Sequence, residues 1–179
     1  MKKLVCSALA LACVWSMPPI QAQNAAPNTP ASAIYIPDAD MQAKLKEIIA
    51  TKLQDEPVRI VNMNGESNLG VYLIHLNPNT AKQPITLTTH DDVSEVYYVI
   101  KGEGMLYHGG TIENATARAS DRTGPGTGGT GKGTLSQKVG PGDVFIVPAK
   151  TPHQVNVDAK TEMVYIVVRL DPKKHLKLK

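Results

Sequence analysis

Cysteine, tryptophan and phenylalanine are scarce in this chain of 179 residues, which has two cysteines, one tryptophan and one phenylalanine. Both cysteines, Cys6 and Cys13, and the tryptophan, Trp15, stand in the opening stretch. If that stretch is removed on maturation, no disulfide can form, and stability must come from a packed core or a bound metal. Charge of one sign is lacking too: the formal net charge is +3, which gives no electrostatic basis for binding nucleic acid. The apolar run from Leu4 to Trp15 is too short to span a bilayer.

That run has another reading. Lys2 and Lys3 precede it, and Pro18, Pro19 and Ile20-Gln21-Ala22 follow it, the order of a secretory signal peptide covering 1–22 and cut after Ala22. The product is then periplasmic or secreted, with no transmembrane segment in the mature chain and a formal charge of +1, since no acidic residue leaves with the two lysines. Leu11-Ala12-Cys13 weakly resembles a lipobox, and a lipoprotein anchored through Cys13 is the alternative. Residues 23–33, rich in Ala, Asn, Pro and Thr, read as a disordered linker. The basic tail, 173–179, reads as solvated.

Between these ends lies one domain, 34–172. Asp38 is placed to cap an amphipathic helix whose apolar residues Met41, Leu45, Ile48, Ile49 and Leu53 recur at helical spacing before Pro57. The pattern then turns to short β-type runs: Val58 to Met63, Gly70 to Leu76, Ile85 to His90, Val96 to Ile100, Gly104 to His108, Val144 to Val147, His153 to Val157 and Met163 to Leu170. Asn64-Gly65, Asn77-Pro78, Lys101-Gly102 and Gly140-Pro141-Gly142 supply turns. Such runs without helical crossovers predict an all-β antiparallel sandwich or small barrel. A glycine-rich insertion at about 109–139 interrupts the rhythm. Its Gly126, Gly131 and Lys132 imitate a phosphate loop, but Gly133 replaces the hydroxyl residue and no helix follows, so it reads as a flexible surface segment.

Candidate ligands stand on both sides of that insertion. Thr88 and His90 share one strand face, and Glu95 returns after a turn with Tyr97 and Val99 on its own face. His153 opens another strand. If these strands share a barrel, two imidazoles and one carboxylate converge, the facial set that leaves positions open for water, dioxygen or substrate. Asp92 reads as a turn residue, and His75 and His108 as strand or rim residues.

The clusters Thr88-x-His90-(x4)-Glu95-(x6)-Gly102 and Gly142-(x5)-Pro148-x-Lys150-x-x-His153 resemble the paired motifs of the cupin superfamily, in particular small single-domain secreted bacterial cupins of the cupin-2-like conserved barrel. The phrases Tyr97-Tyr98-Val99-Ile100-Lys101-Gly102-Glu103-Gly104 and Pro141-Gly142-Asp143-Val144-Phe145-Ile146-Val147-Pro148 strengthen the likeness, which covers Ile85 to Asn156. It implies a double-stranded β-helix, or jelly-roll barrel, preceded by the helix. A divalent metal (Fe, Mn or Zn) on His90, Glu95 and His153 is implied as well, with Thr88 or Tyr97 orienting a substrate. Thr88 replaces the family's first histidine, Lys82 its leading glycine, Lys150 the second-motif glycine and Val157 the closing asparagine, which Asn156 offers one position early. The implied function is metal-dependent action on a small organic molecule, with an Fe(II) dioxygenase as one form. A non-catalytic periplasmic binding protein and a dimerising structural module with a relic site stand beside it.

Overall fold

The computed structural model describes residues 32–78, 85–157 and 160–179. The expected signal peptide, most of the linker and Lys82 lie outside these. The helix α1 (Asp38–Thr51) is followed by β1 (Asp55–Met63), β2 (Ser67–Leu76), β3 (Thr86–His90), β4 (Ser94–Lys101), β5 (Gly104–His108), β6 (Thr111–Ser120), β7 (Gly124–Lys132), β8 (Leu135–Val139), β9 (Val144–Val147), β10 (His153–Asn156) and β11 (Met163–Asp171). All strand pairs are antiparallel. They form a five-stranded sheet, β1-β2-β11-β4-β9, and a six-stranded sheet, β6-β7-β3-β10-β5-β8, the two walls of a jelly-roll barrel.

Period-two alternation sets what fills the barrel. Tyr72, Ile74 and Leu76 of β2, Tyr97 and Val99 of β4, and Met163, Tyr165 and Val167 of β11 meet in the main core with Leu106 and Val155 from the opposite sheet. A second cluster lies outside, where Ile48, Met41 and Leu45 of α1 cover Leu73, Val164, Val58 and Ile166. The helix thus packs by its apolar stripe as expected, although Ile49 and Leu53 stay exposed. Asp38 is not the cap: Pro37 holds that position, and Asp38 is the first helical residue. An acidic side chain there still faces the positive end of the helix dipole.

The glycine-rich region departs from expectation. It forms three strands, and β7 runs through the six-stranded sheet between β6 and β3. Its glycines answer to crowding from both neighbours. A Cβ on Gly126 would lie 2.0 Å from the Thr89 carbonyl oxygen of β3, and one on Gly129 would lie 2.5 Å from the Glu113 carbonyl oxygen of β6. Low complexity here marks close backbone approach in a sheet, one of the uses of strand glycine.

The tail departs as well. Leu176 is buried, its N–H donates to Asp171 at 2.7 Å, and its carbonyl accepts from Asn68 at 2.8 Å. Ile60 and Lys179 exchange two main-chain bonds of 3.1 and 3.2 Å. One buried leucine is enough to dock the segment, because the barrel supplies the matching polar partners, while Leu178 stays exposed.

Candidate metal centre

Strands β3, β4 and β10 bring the three candidate ligands together. Leu87 is fully buried, which fixes the alternation of β3 and puts Thr88 and His90 on the cavity side. The same alternation on β4 buries Glu95, Tyr97 and Val99 and exposes Val96, Tyr98 and Ile100. His153 starts β10 opposite Thr88 of β3 and His108 of β5. One ligand atom from each of His90, Glu95 and His153 lies within 4.8 Å of the other two. Glu95 Oε2 is 3.0 Å from His153 Nε2 and 3.5 Å from His90 Nε2.

Two contacts prepare these groups as ligands. His153 Nδ1 lies 2.9 Å from the Thr151 carbonyl oxygen, which accepts its proton and aims Nε2 at Glu95 Oε2. Burial alone would raise the Glu95 carboxyl, but Arg169 and the hydrogen bonds with His153 and His90 prevail and hold it well below the usual carboxylate range. The site therefore offers two imidazole nitrogens and an ionised carboxylate at one point, a donor set that suits a borderline divalent cation such as Fe(II), Mn(II) or Zn(II).

Arg169 is the functional residue that motif reading missed. It is buried, donates through Nε to Glu95 Oε1 at 2.7 Å, and grips Asp55 with two bonds of 3.0 and 2.8 Å. Its guanidinium carbon sits 4.1 Å above the centre of the Tyr72 ring. A signal was present in the sequence, because Met163, Tyr165, Val167 and Arg169 share one face of β11, which puts a charge at an inward position.

Tyr97 turns inward as its face requires. Its hydroxyl donates to Glu95 Oε2 at 2.7 Å, and its ring stacks on Phe145 at 4.3 Å. Burial, followed by the Glu95 charge, raises the phenol well above its usual value, so it stays a neutral donor. Thr88 lines the cavity, and its hydroxyl donates to the His153 carbonyl over a long 3.4 Å. The residues set aside as ligands have other partners: Asp92 meets His175 at 3.0 Å, and His75 meets Glu162 at 3.1 Å. His108 stands opposite His153 in the β5–β10 pair but is not one of the three clustered ligands.

The sequence profile of the family described as Cupin matches residues 54–177, which is 124 of the 179 positions. The chain belongs to the cupin family. No curated protein matches it. Among solved structures, this cupin is similar to a Bacillus halodurans protein at 13% identity and a TM-score of 0.47, over 81% of this chain and 86% of that one. It is also similar to a cupin-like protein from Thermotoga maritima at 16% identity and a TM-score of 0.40, over 69% and 70%. A putative mannose-6-phosphate isomerase from Ralstonia eutropha matches at 17% identity and a TM-score of 0.40, over 66% and 86%.

Against the family pattern, the departures have structural sequels. Lys150, where the second motif carries glycine, adopts a left-handed conformation at φ 66°, and its N–H donates to the His90 carbonyl at 2.7 Å. Val157, at the place of the closing asparagine, is buried in the core, while Asn156 faces the cavity mouth.

Proposed function

We propose that this cupin is exported and uses a divalent metal held by His90, Glu95 and His153 to act on a small organic molecule, as an Fe(II)-type dioxygenase or a related enzyme. The observation that carries the reading is the ionised Glu95 carboxylate facing two imidazoles, with the His153 ring oriented by Thr151 and both imidazoles lining a cavity of about 500 Å³. A cavity of that size suits a small ligand. Export rests on the Lys2 to Ala22 pattern.

When bound, the metal would supply Lewis acidity and open coordination positions. The rest of the work falls to the chain. Tyr97 and Arg169 each hold one oxygen of Glu95, so the carboxylate keeps its angle while a substrate exchanges beside it. The Thr88 hydroxyl, bonded only weakly, is free to turn toward a substrate oxygen. Val155, Val167 and Tyr165 give the cavity wall an apolar stretch beside the two histidines.

Elemental analysis of protein purified from the periplasm tests this reading. Stoichiometric iron or manganese with a Gln23 N-terminus is expected. Metal-free protein that still binds small molecules would point to a non-catalytic binding cupin, and an intact Met1 in the cytoplasm would overturn export.

A homodimer belongs to the same proposal. Among the described residues, helix α1 covers one part of the outer face of the five-stranded sheet and leaves the other bare, so Val96 and Ile146, and Tyr98 and Val144, stand as exposed neighbouring pairs on β4 and the edge strand β9. A second copy meeting this face would bury both the apolar strip and the free edge. Sedimentation should show a dimer that Ile146→Glu converts to monomer. A wild-type monomer at high concentration would contradict it.

A further inference from the structure

The charges around the cavity do not balance. Arg169 is committed to Glu95 and Asp55, and Arg122 pairs with Glu56 at 2.5 Å. Lys52 and Arg118 also line the wall, and among the described residues neither side chain has an acidic partner. Their position is specific. The inner chamber of about 500 Å³, which holds His90 and His153, adjoins an outer chamber of about 860 Å³, and Lys52, Arg118, Thr88 and Gln154 line both. These two cations therefore stand at the junction of the two chambers, on the way from the larger one to the metal ligands.

The fold builds this position from two sides. Lys52 ends α1 in a left-handed conformation at φ 56°, which stops the helix at the cavity edge. Across from it, Arg118 on β6 lies over β7: a Cβ on Gly128 would come within 2.7 Å of the Arg118 Cδ. The bare glycine backbone therefore gives the arginine stem its bed, a second reason for glycine in this strand. A planar guanidinium presents two parallel donors to an oxyanion, and a nearby ammonium adds a point charge.

We propose that Arg118 and Lys52 form an oxyanion subsite, so that the molecule accepted by this cupin is a small organic anion, bound by its carboxylate or phosphate group at the chamber junction with its other end at the His90, Glu95 and His153 site. The proposal rests on the metal-site reading for that other end but not for the anion contact itself. Arg118 contributes nothing to the triad, so its removal should spare metal binding.

Calorimetric titration with succinate, with inorganic phosphate and with neutral succinamide tests this, on metal-free and Zn(II)-loaded protein. Succinate or phosphate should bind both forms, more tightly with Zn(II), and the better of the two identifies the group. Arg118→Gln should weaken that anion at least tenfold in both forms while leaving Zn(II) affinity and the thermal midpoint unchanged. Gly128→Ala, which keeps both charges but displaces the arginine stem, should weaken it in the same direction. No anion binding to the wild type, equal binding of succinamide, or an Arg118→Gln variant that binds like the wild type would each overturn the subsite. Loss of anion binding in Arg118→Gln alongside a wild type that takes up no Zn(II) would uphold the subsite and overturn the metal reading instead.

Discussion

Replacing Arg169 with leucine is expected to destabilise the metal-free protein by about 3–5 kcal/mol at neutral pH, the usual scale for breaking a buried ion pair from one side. Arg169 is 3% exposed and Glu95 1% exposed, so the carboxylate left behind has no water to turn to. The loss should depend on pH in a defined direction. In the wild type the Glu95 pKa is depressed, so its contribution is present above the ordinary carboxylate value and fades as pH falls through the depressed one. Without Arg169 the burial effect is no longer opposed by that charge, and a neutral carboxyl becomes easier to bury. The difference between variant and wild type should therefore shrink as pH drops toward the carboxylate range. Urea denaturation in the presence of a chelator measures both, and Arg169→Leu/Glu95→Gln should regain part of the loss because the stranded charge is gone. A loss below about 1 kcal/mol at neutral pH would mean that Glu95 does not depend on this arginine.

An alanine at Gly126 is the second large effect. The added Cβ would sit 2.0 Å from the Thr89 carbonyl oxygen, a backbone atom that moves only if β3 moves. Forced overpacking costs about 1–3 kcal/mol, and here the strand displaced also carries His90. Both the thermal midpoint and metal affinity should fall. Replacing residues 124–132 with a short Gly-Ser link should be worse, since β6 pairs only with β7, and β3 would keep only its short contact with β10. A variant of either kind that melts like the wild type would show that β7 is dispensable.

That result bears on how much of the fold was legible in the sequence. Eight strands and the helix were readable because alternation and apolar spacing report which face is buried. Strands β6, β7 and β8 were not, because β6 and β8 are mostly exposed and carry little apolar signal, while β7 is mostly glycine and threonine. In β7 the sequence encodes closeness of backbones rather than burial of side chains, and hydrophobic periodicity does not register that. The ligands were legible because two short motifs fix their spacing. Arg169 and Asp55 were harder, since they lie 74 residues and 40 residues from Glu95, and only the inward position of a charge on β11 pointed to the first. The docked tail was hidden for a similar reason: Leu176 and Leu178 among four lysines form too short a pattern to show which side is buried.

The central claim is that His90, Glu95 and His153 hold one divalent metal together. Calorimetric titration of Fe(II), Mn(II) and Zn(II) into the wild type, the alanine variant of each ligand and Thr88→His measures it most directly. One metal per chain is expected, with affinity reduced by at least about a hundredfold when any of the three is removed, since losing even a partner that only supports a ligand costs about ten- to a hundredfold, and increased in Thr88→His, where a third imidazole stands beside His90 as a fourth ligand. Because an imidazole nitrogen must be free of its proton to bind a metal, wild-type affinity should fall on acidification. Wild-type affinity no tighter than that of His153→Ala would contradict the claim.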